Sequence, residues 1–301
     1  MTVDLNQLSA LVADRLRLVA VDLQPIRVQC AWPVYRATAV GCEPLFVKVT
    51  DRAAAERTLA FLASAGDCPF LPKARIPEAL DFNGKAVLCL EWKESTRVNA
   101  EDMTEGQLGS LVEGCRQMAM ILSRYEGPIV PRAEEDSPDR QYAAIEEYAQ
   151  RHRLVGRLLR PLLALPAAER AYGDRELAIV HGDLQPRNYG FDGDRFAAVY
   201  DTDDLTEGLA CEDACYAFTE RVRRSELSAA ARRRLTDLFL RFVGMSPWPE
   251  DEWLIAVNHA RLRIAARRLE KRPDSAFIAF DIARRDKPLR ALAEALKGTS
   301  C

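Results

Sequence analysis

The chain of 301 residues carries 42 Lys and Arg against 45 Asp and Glu, a formal net charge of −3, with 48% hydrophobic residues. This composition belongs to a folded globular chain and excludes disordered, collagen-like and low-complexity classes. No apolar run reaches the roughly 18 residues a membrane span needs, and the first twenty residues mix charges into their apolar positions without a cleavable signal, so the expected compartment is the cytoplasm. The eight cysteines form no C-x₂-C pair and lie outside metal spacing of the three histidines, so reduced, mostly buried thiols are expected. Charge is unevenly spread. Residues 221–301 hold 18 Lys and Arg against 10 Asp and Glu, whereas residues 1–220 hold 24 against 35.

In chain order, Leu5, Leu8, Leu11, Val12, Leu16 and Val19 recur at helical spacing, so an amphipathic helix is expected over 4–20. Ile26–Cys30 and Val34–Val40 read as a hairpin, followed by a strand over 45–50 that carries Lys48. Asp51 is placed to cap an Ala-rich helix running to about residue 65. Two more strands, 75–82 and 85–91, are expected to turn at Asn83-Gly84. Beyond residue 93 helical patterns dominate, at about 103–124, 139–160, 211–223, 227–243, 249–270 and 275–297, with a polar insert over 177–205. The expected fold is α+β and bilobal, a β-rich lobe over 1–93 and a helical lobe over 94–301, with a ligand cleft between them.

The insert carries the chemistry. Ile179-Val180 leads into His181 and Asp183, and Ala198-Val199-Tyr200 leads into Asp201, so strands deliver acidic groups to loops. The Asp192-Gly193-Asp194 turn is expected to bring Asn188 and Asp201 together across a hairpin. Those two are hard oxygen donors suited to Mg²⁺ bridging nucleotide phosphates. Asp183, five residues before Asn188, is suited to orienting a hydroxyl and taking its proton.

His181-x-Asp183-x₄-Asn188, with Asp201 eighteen residues after Asp183, resembles the kinase catalytic loop and metal-binding Asp. Gly182, and Thr-Asp-Asp after Asp201, make it similar to the aminoglycoside phosphotransferase/choline kinase family, which has a protein-kinase-like fold and phosphorylates hydroxyls of small molecules. The resemblance implies ATP and Mg²⁺ as cofactors, Lys48 on the α/β-phosphates, Glu56 pairing with Lys48, and Glu91 and Trp92 in a hinge whose backbone meets adenine. It further implies Asp213 as a buttress of the loop that contains His181. One departure stands out. The hairpin expected to cover the phosphates, Gln29 to Arg36, has no glycine, and Pro33 removes a backbone N–H, which leaves Arg27 and Arg36 as candidate phosphate partners.

The expected function is transfer of the ATP γ-phosphate to a hydroxyl of an aminoglycoside-, amino-alcohol- or sugar-type acceptor. Asp203, Asp204 and Glu207 near the site would attract a cation, whereas the basic C-terminal region would favour an anion. A lipopolysaccharide or capsule sugar kinase in peripheral contact with the inner membrane, and a non-catalytic pseudokinase scaffold, are the alternatives. A protein kinase is disfavoured because neither Phe-Gly nor Ala-Pro-Glu follows Asp201, and no aromatic-interleaved basic motif points to nucleic acid. Sequence leaves the oligomeric state open.

Overall fold

The computed structural model describes residues 3–26, 32–98, 102–132, 137–223, 227–273, 275 and 277–299. Helix α1, Leu5–Leu16, is capped by Asp4, whose carboxylate accepts the N–H groups of Asn6 and Gln7 at 3.0 and 3.2 Å. The chain leaves it through Arg17 at φ 56°, four residues before the expected end. Strands β1 (Asp22–Pro25), β2 (Val34–Ala39), β3 (Cys42–Thr50), β4 (Leu80–Phe82) and β5 (Lys85–Glu91) form one antiparallel sheet in the order β1-β2-β3-β5-β4. The first strand thus lies earlier than the expected 26–30, pairing Leu23 with Ala37. Residues 27–31, with Arg27, Gln29 and Cys30, lie outside the described residues.

Alternation along β3 fixes what each sheet face does. Leu45, Val47 and Val49 pack with Leu8 and Val12 of α1, Leu23, Tyr35 and Val87 in one apolar layer. Phe46 and Lys48 therefore face the other way, toward helix α2 (Arg52–Ser64) and the helical lobe. Asp51 caps α2 as expected, accepting Ala54 N–H at 2.8 Å. Asn83 and Gly84 take φ of 52° and 76°, the turn expected between β4 and β5. Only Leu80–Phe82 of the expected strand 75–82 is extended in the sheet. Pro77 accounts for this, since it offers no N–H for a ladder.

The helical lobe begins with α3 (Glu105–Leu122), closed at its start by a Thr104/Gln107 capping box, and α4 (Pro138–Arg151). The helix expected to reach 160 breaks at His152, φ −112° and ψ 56°, and continues as short helical turns to Leu163. Strands β6 (Ala178–Val180), β7 (Tyr189–Asp192), β8 (Arg195–Val199) and β9 (Thr206–Gly208) make two small ladders, β6 with β9 and β7 with β8. Helices α5 (Glu212–Val222), α6 (Ala229–Met245), α7 (Glu250–Lys271) and α8 (Ile278–Thr299) complete the chain. One apolar core runs from Phe61 of α2 and Leu88 of β5 through Phe191 and Phe196 to Phe218, Phe239 and Trp253, so the lobes share an interior. Among the described residues no helix is long and apolar enough to cross a membrane. Cys42, Cys68, Cys89, Cys115, Cys211 and Cys215 are free thiols, and no cluster of three or more His, Cys, Asp or Glu suits a metal among the described residues.

Candidate active site

The segment 181–188 hangs between β6 and β7. Asp213, one residue into α5, reaches back to it: its two carboxylate oxygens accept the N–H groups of His181 at 2.6 Å and Gly182 at 3.1 Å. Burial pushes the Asp213 carboxyl above its usual range, while those N–H bonds pull it back. Gly182 sits at φ +80°, and a Cβ there would meet the carbonyl oxygen of Asp204 at 2.6 Å, so only glycine fits this turn. The fully buried His181 places Nε2 3.0 Å from the Tyr200 carbonyl and accepts the Asp183 N–H at Nδ1, 3.3 Å away. It thereby ties the loop to the segment entering Asp201.

Asp183 is held by three side chains from its own loop. Gln185 Nε2 donates to both carboxylate oxygens at 2.7 and 2.6 Å, Asn188 Nδ2 donates at 2.9 Å, and Arg187 lies at 3.3 Å. Asn188 Nδ2 also bonds the Asp183 carbonyl at 2.9 Å, so its amide nitrogen is committed and its oxygen is turned the other way. Tyr200 N–H donates to the Asn188 carbonyl at 2.8 Å, which joins the two sides of the β7–β8 hairpin one residue short of Asp201.

Lys48 reaches across the cleft from β3. Only 5% exposed, its ammonium lies 2.5 Å from Asp201 and 2.7 Å from both oxygens of Asp203. Burial opposes the charge on Lys48, but the two carboxylates outweigh it and raise its pKa. For Asp201 burial is likewise overcome by Lys48, and its pKa is lowered. Asp203 goes the other way, to about 6, because burial and the neighbouring Asp201 charge exceed what Lys48 returns. Asp201 adopts φ +65°, the left-handed region, a strained conformation of the kind concentrated at functional sites.

Two expectations about α2 and the phosphate cover need correction. Glu56 does not pair with Lys48: its side chain is 61% exposed and faces Arg52 at 3.8 Å on the outer side of α2. One position on, a 100° rotation around the helix, Arg57 addresses the site and donates to the Asp203 carbonyl at 3.0 Å. Arg36 is likewise not turned to the cleft floor. It pairs with Glu94 at 3.1 Å and lies over the Trp92 ring at 5.1 Å.

The connector after β5 is also occupied by the protein itself. Glu91 N–H donates to the Lys73 carbonyl at 2.8 Å, and Trp92 N–H to the Pro44 carbonyl at 3.2 Å. The Glu91 carboxylate accepts Lys73 N–H at 3.2 Å and pairs with Lys93 at 3.1 Å. Thus the N–H groups expected to meet adenine at Glu91 and Trp92 are committed. Lys93 N–H is committed as well, to the Tyr200 hydroxyl. Sequence reasoning missed Tyr200, Arg57, Gln185 and the role of Asp203; only the adjacency of Tyr200 to Asp201 offered a signal.

The donor set fits a hard divalent cation. Asn188 presents an amide oxygen with its nitrogen anchored, and Asp201, just past the other end of the same hairpin, presents a depressed carboxylate. Lys48 lies directly on Asp201, so a phosphate chain would have to part that pair to reach both. Asp183 adjoins Asn188, whose Nδ2 donates to its carboxylate at 2.9 Å.

A sequence profile described as "Phosphotransferase enzyme family" matches residues 22–254. No curated protein matches the chain. Among solved structures, a macrolide 2′-phosphotransferase from Brachybacterium faecium superposes with a TM-score of 0.56 at 16% identity, covering 94% of this chain and 97% of that one. A spectinomycin phosphotransferase in complex with ADP and spectinomycin gives 0.60 at 11% identity, covering 99% of each. An amicoumacin kinase bound to AMP-PNP and Ca²⁺ gives 0.58 at 14% identity, covering 88% and 87%. At these identities the likeness is one of fold.

Proposed function

The chain belongs to the phosphotransferase enzyme family, and from that premise we propose that it moves the γ-phosphate of ATP to a hydroxyl of a small aminoglycoside-, amino-alcohol- or sugar-type molecule. The observation that carries this reading is that Lys48, the Asp183–Asn188 loop and Asp201 come together from three separate stretches of chain. Bound Mg²⁺ would neutralise phosphate charge in the transition state. Asn188 and Asp201 hold the oxygens for it, and Lys48 binds the α/β-phosphates. Asp183, aimed by Gln185 and Asn188, takes the proton from the acceptor hydroxyl as its oxygen bonds to the γ-phosphorus. The bond from that phosphorus to the bridging oxygen breaks, and ADP leaves with the electron pair. The work of the protein is positioning and charge placement.

The charge split of the sequence gives less about the acceptor than its size promises. Part of the basic surplus in the last third is answered by acids outside it: Arg223 by Glu220, Arg241 by Glu105 at 3.0 Å and Lys297 by Glu169 at 2.7 Å. Asp203, read as a lure for cations, is taken by Lys48, which leaves Asp204 and Glu207 exposed near the site. These pairings favour neither a polyanionic surface sugar nor a membrane face. A scaffold reading has no use for Asp183 held by three donors. The test is ADP release from Mg·ATP by the purified chain across a panel of hydroxylated acceptors, cationic, neutral and anionic. Turnover that needs both Mg²⁺ and an acceptor supports the proposal; Mg·ATP binding with no acceptor-dependent turnover for any class opposes it.

A further inference from the structure

Phe46 and Lys48 lie on one face of β3, two residues and so about 6.6 Å apart along the strand. Tyr200 immediately precedes Asp201. The Lys48–Asp201 pair and a Phe46–Tyr200 pair are therefore neighbouring rungs across the same cleft. On the phosphotransferase reading above, on which this inference rests, the first rung takes phosphates. The second then stands where the base of the same nucleotide arrives, against the connector.

That slot is filled. The Phe46 and Tyr200 rings stack with centroids 5.1 Å apart and planes inclined by 27°. A flat base inserted between them needs two van der Waals separations, about 7 Å in all. The Tyr200 hydroxyl completes the occupation: it accepts Lys93 N–H at 3.0 Å and donates to the Lys93 carbonyl at 2.9 Å. A donor and an acceptor on one backbone residue are what the edge of a nucleobase reads. With Glu91 and Trp92 N–H groups bonded to Lys73 and Pro44, the Lys93 clasp is the exchangeable one, because it crosses between lobes.

We propose that Tyr200 is an intramolecular stand-in for the nucleobase, a plug that the nucleotide must displace from Phe46 and from the Lys93 backbone. The free protein then binds nucleotide with an affinity reduced by the fraction of molecules whose slot is open. The plug acts on the base and not on the phosphates, since Lys48, Asn188 and Asp201 lie outside it.

Tyr200→Phe keeps the ring and removes both clasp bonds. Calorimetric titration of the full chain with Mg·ATP should show about tenfold tighter binding in Tyr200→Phe, the equivalent of one or two neutral hydrogen bonds no longer displaced. Magnesium tripolyphosphate, which has neither base nor ribose, should bind both proteins equally. In the nucleotide-free proteins the Lys93 amide should exchange hydrogen at least tenfold faster in Tyr200→Phe. Mg·ATP affinity unchanged or weakened in Tyr200→Phe, or tripolyphosphate tightened to the same degree, would overturn the plug while leaving the phosphotransferase reading intact. Failure of folded wild-type protein to bind Mg·ATP at all would instead remove the reading beneath it. Slow Lys93 exchange that persists in Tyr200→Phe counts against the clasp even if the titrations are unusable.

Discussion

Asp213→Asn tests how the catalytic loop is held. In the native protein each carboxylate oxygen accepts one buried backbone N–H, from His181 at 2.6 Å and Gly182 at 3.1 Å. An amide has one acceptor oxygen, so in either orientation its NH₂ faces one of those N–H groups. The substitution removes one charge-assisted bond, typically about 1.5–3 kcal/mol, and leaves a buried donor unsatisfied. Against this stands the lower desolvation of a neutral side chain, a real offset because burial already raises the Asp213 carboxyl. The expected net loss is about 2–3 kcal/mol, read as a lower urea midpoint with unchanged slope. A loop displaced by about 1 Å also misplaces Asp183, so kcat should fall on the order of 100-fold while KM for ATP, which the proposed mechanism assigns to Lys48 and Asp201 on other segments, changes little. A stability loss below about 0.5 kcal/mol together with native kcat would refute the argument that this carboxylate positions the loop.

Further outcomes follow from single geometries. Glu56→Ala should leave Mg·ATP affinity within about twofold and stability within about 0.5 kcal/mol, because Glu56 faces solvent and Arg52; a large loss of affinity in titration would restore it to the site. Gly182→Ala should destabilise by about 2–3 kcal/mol and suppress turnover, since its Cβ meets the Asp204 carbonyl at 2.6 Å and φ is +80°; a native melting curve would contradict the strain. At the start of α5, Glu212 is buried with Arg132 at 2.8 Å, Tyr172 at 2.7 Å and His259 at 2.5 Å. Burial would raise its carboxyl, but His259 and Arg132 outweigh burial and hold it at about 2, against an ordinary 4.5. A depressed acid stabilises above its unfolded value and loses that contribution as pH falls through the folded one. Urea midpoints should therefore drop between about pH 4.5 and 2, by on the order of 3 kcal/mol from this group. The same slope in Glu212→Gln would show that the pH dependence arises elsewhere.

What was legible in the sequence is what depends on neighbours along the chain. Asp51 as a cap, Asn83-Gly84 as a turn and the β7–β8 hairpin that sets Asn188 against Tyr200 are each decided within a few residues. The His181–Asp183–Asn188 spacing belongs to the same class, since a single loop holds all three. The choice between Glu56 and Arg57 was not legible. It turns on the rotational phase of α2, which is set by Ala54, Ala55, Thr58 and Phe61 packing against both lobes. Asp203 was read by its charge alone, and only the approach of β3 shows that Lys48 claims it. Tyr200 looked like one more apolar strand residue. Its hydroxyl acquires a role through Lys93, 107 residues away.

The most direct test of the central claim is acceptor-dependent ADP release from Mg·ATP, measured side by side for the wild-type chain and Asp183→Asn, with Mg·ATP binding titrated in both. The account predicts turnover in the wild type, its loss in Asp183→Asn, and nucleotide affinities within about threefold of each other, because on the proposed mechanism Asp183 meets the hydroxyl and not the nucleotide. Equal turnover in the two proteins would contradict it.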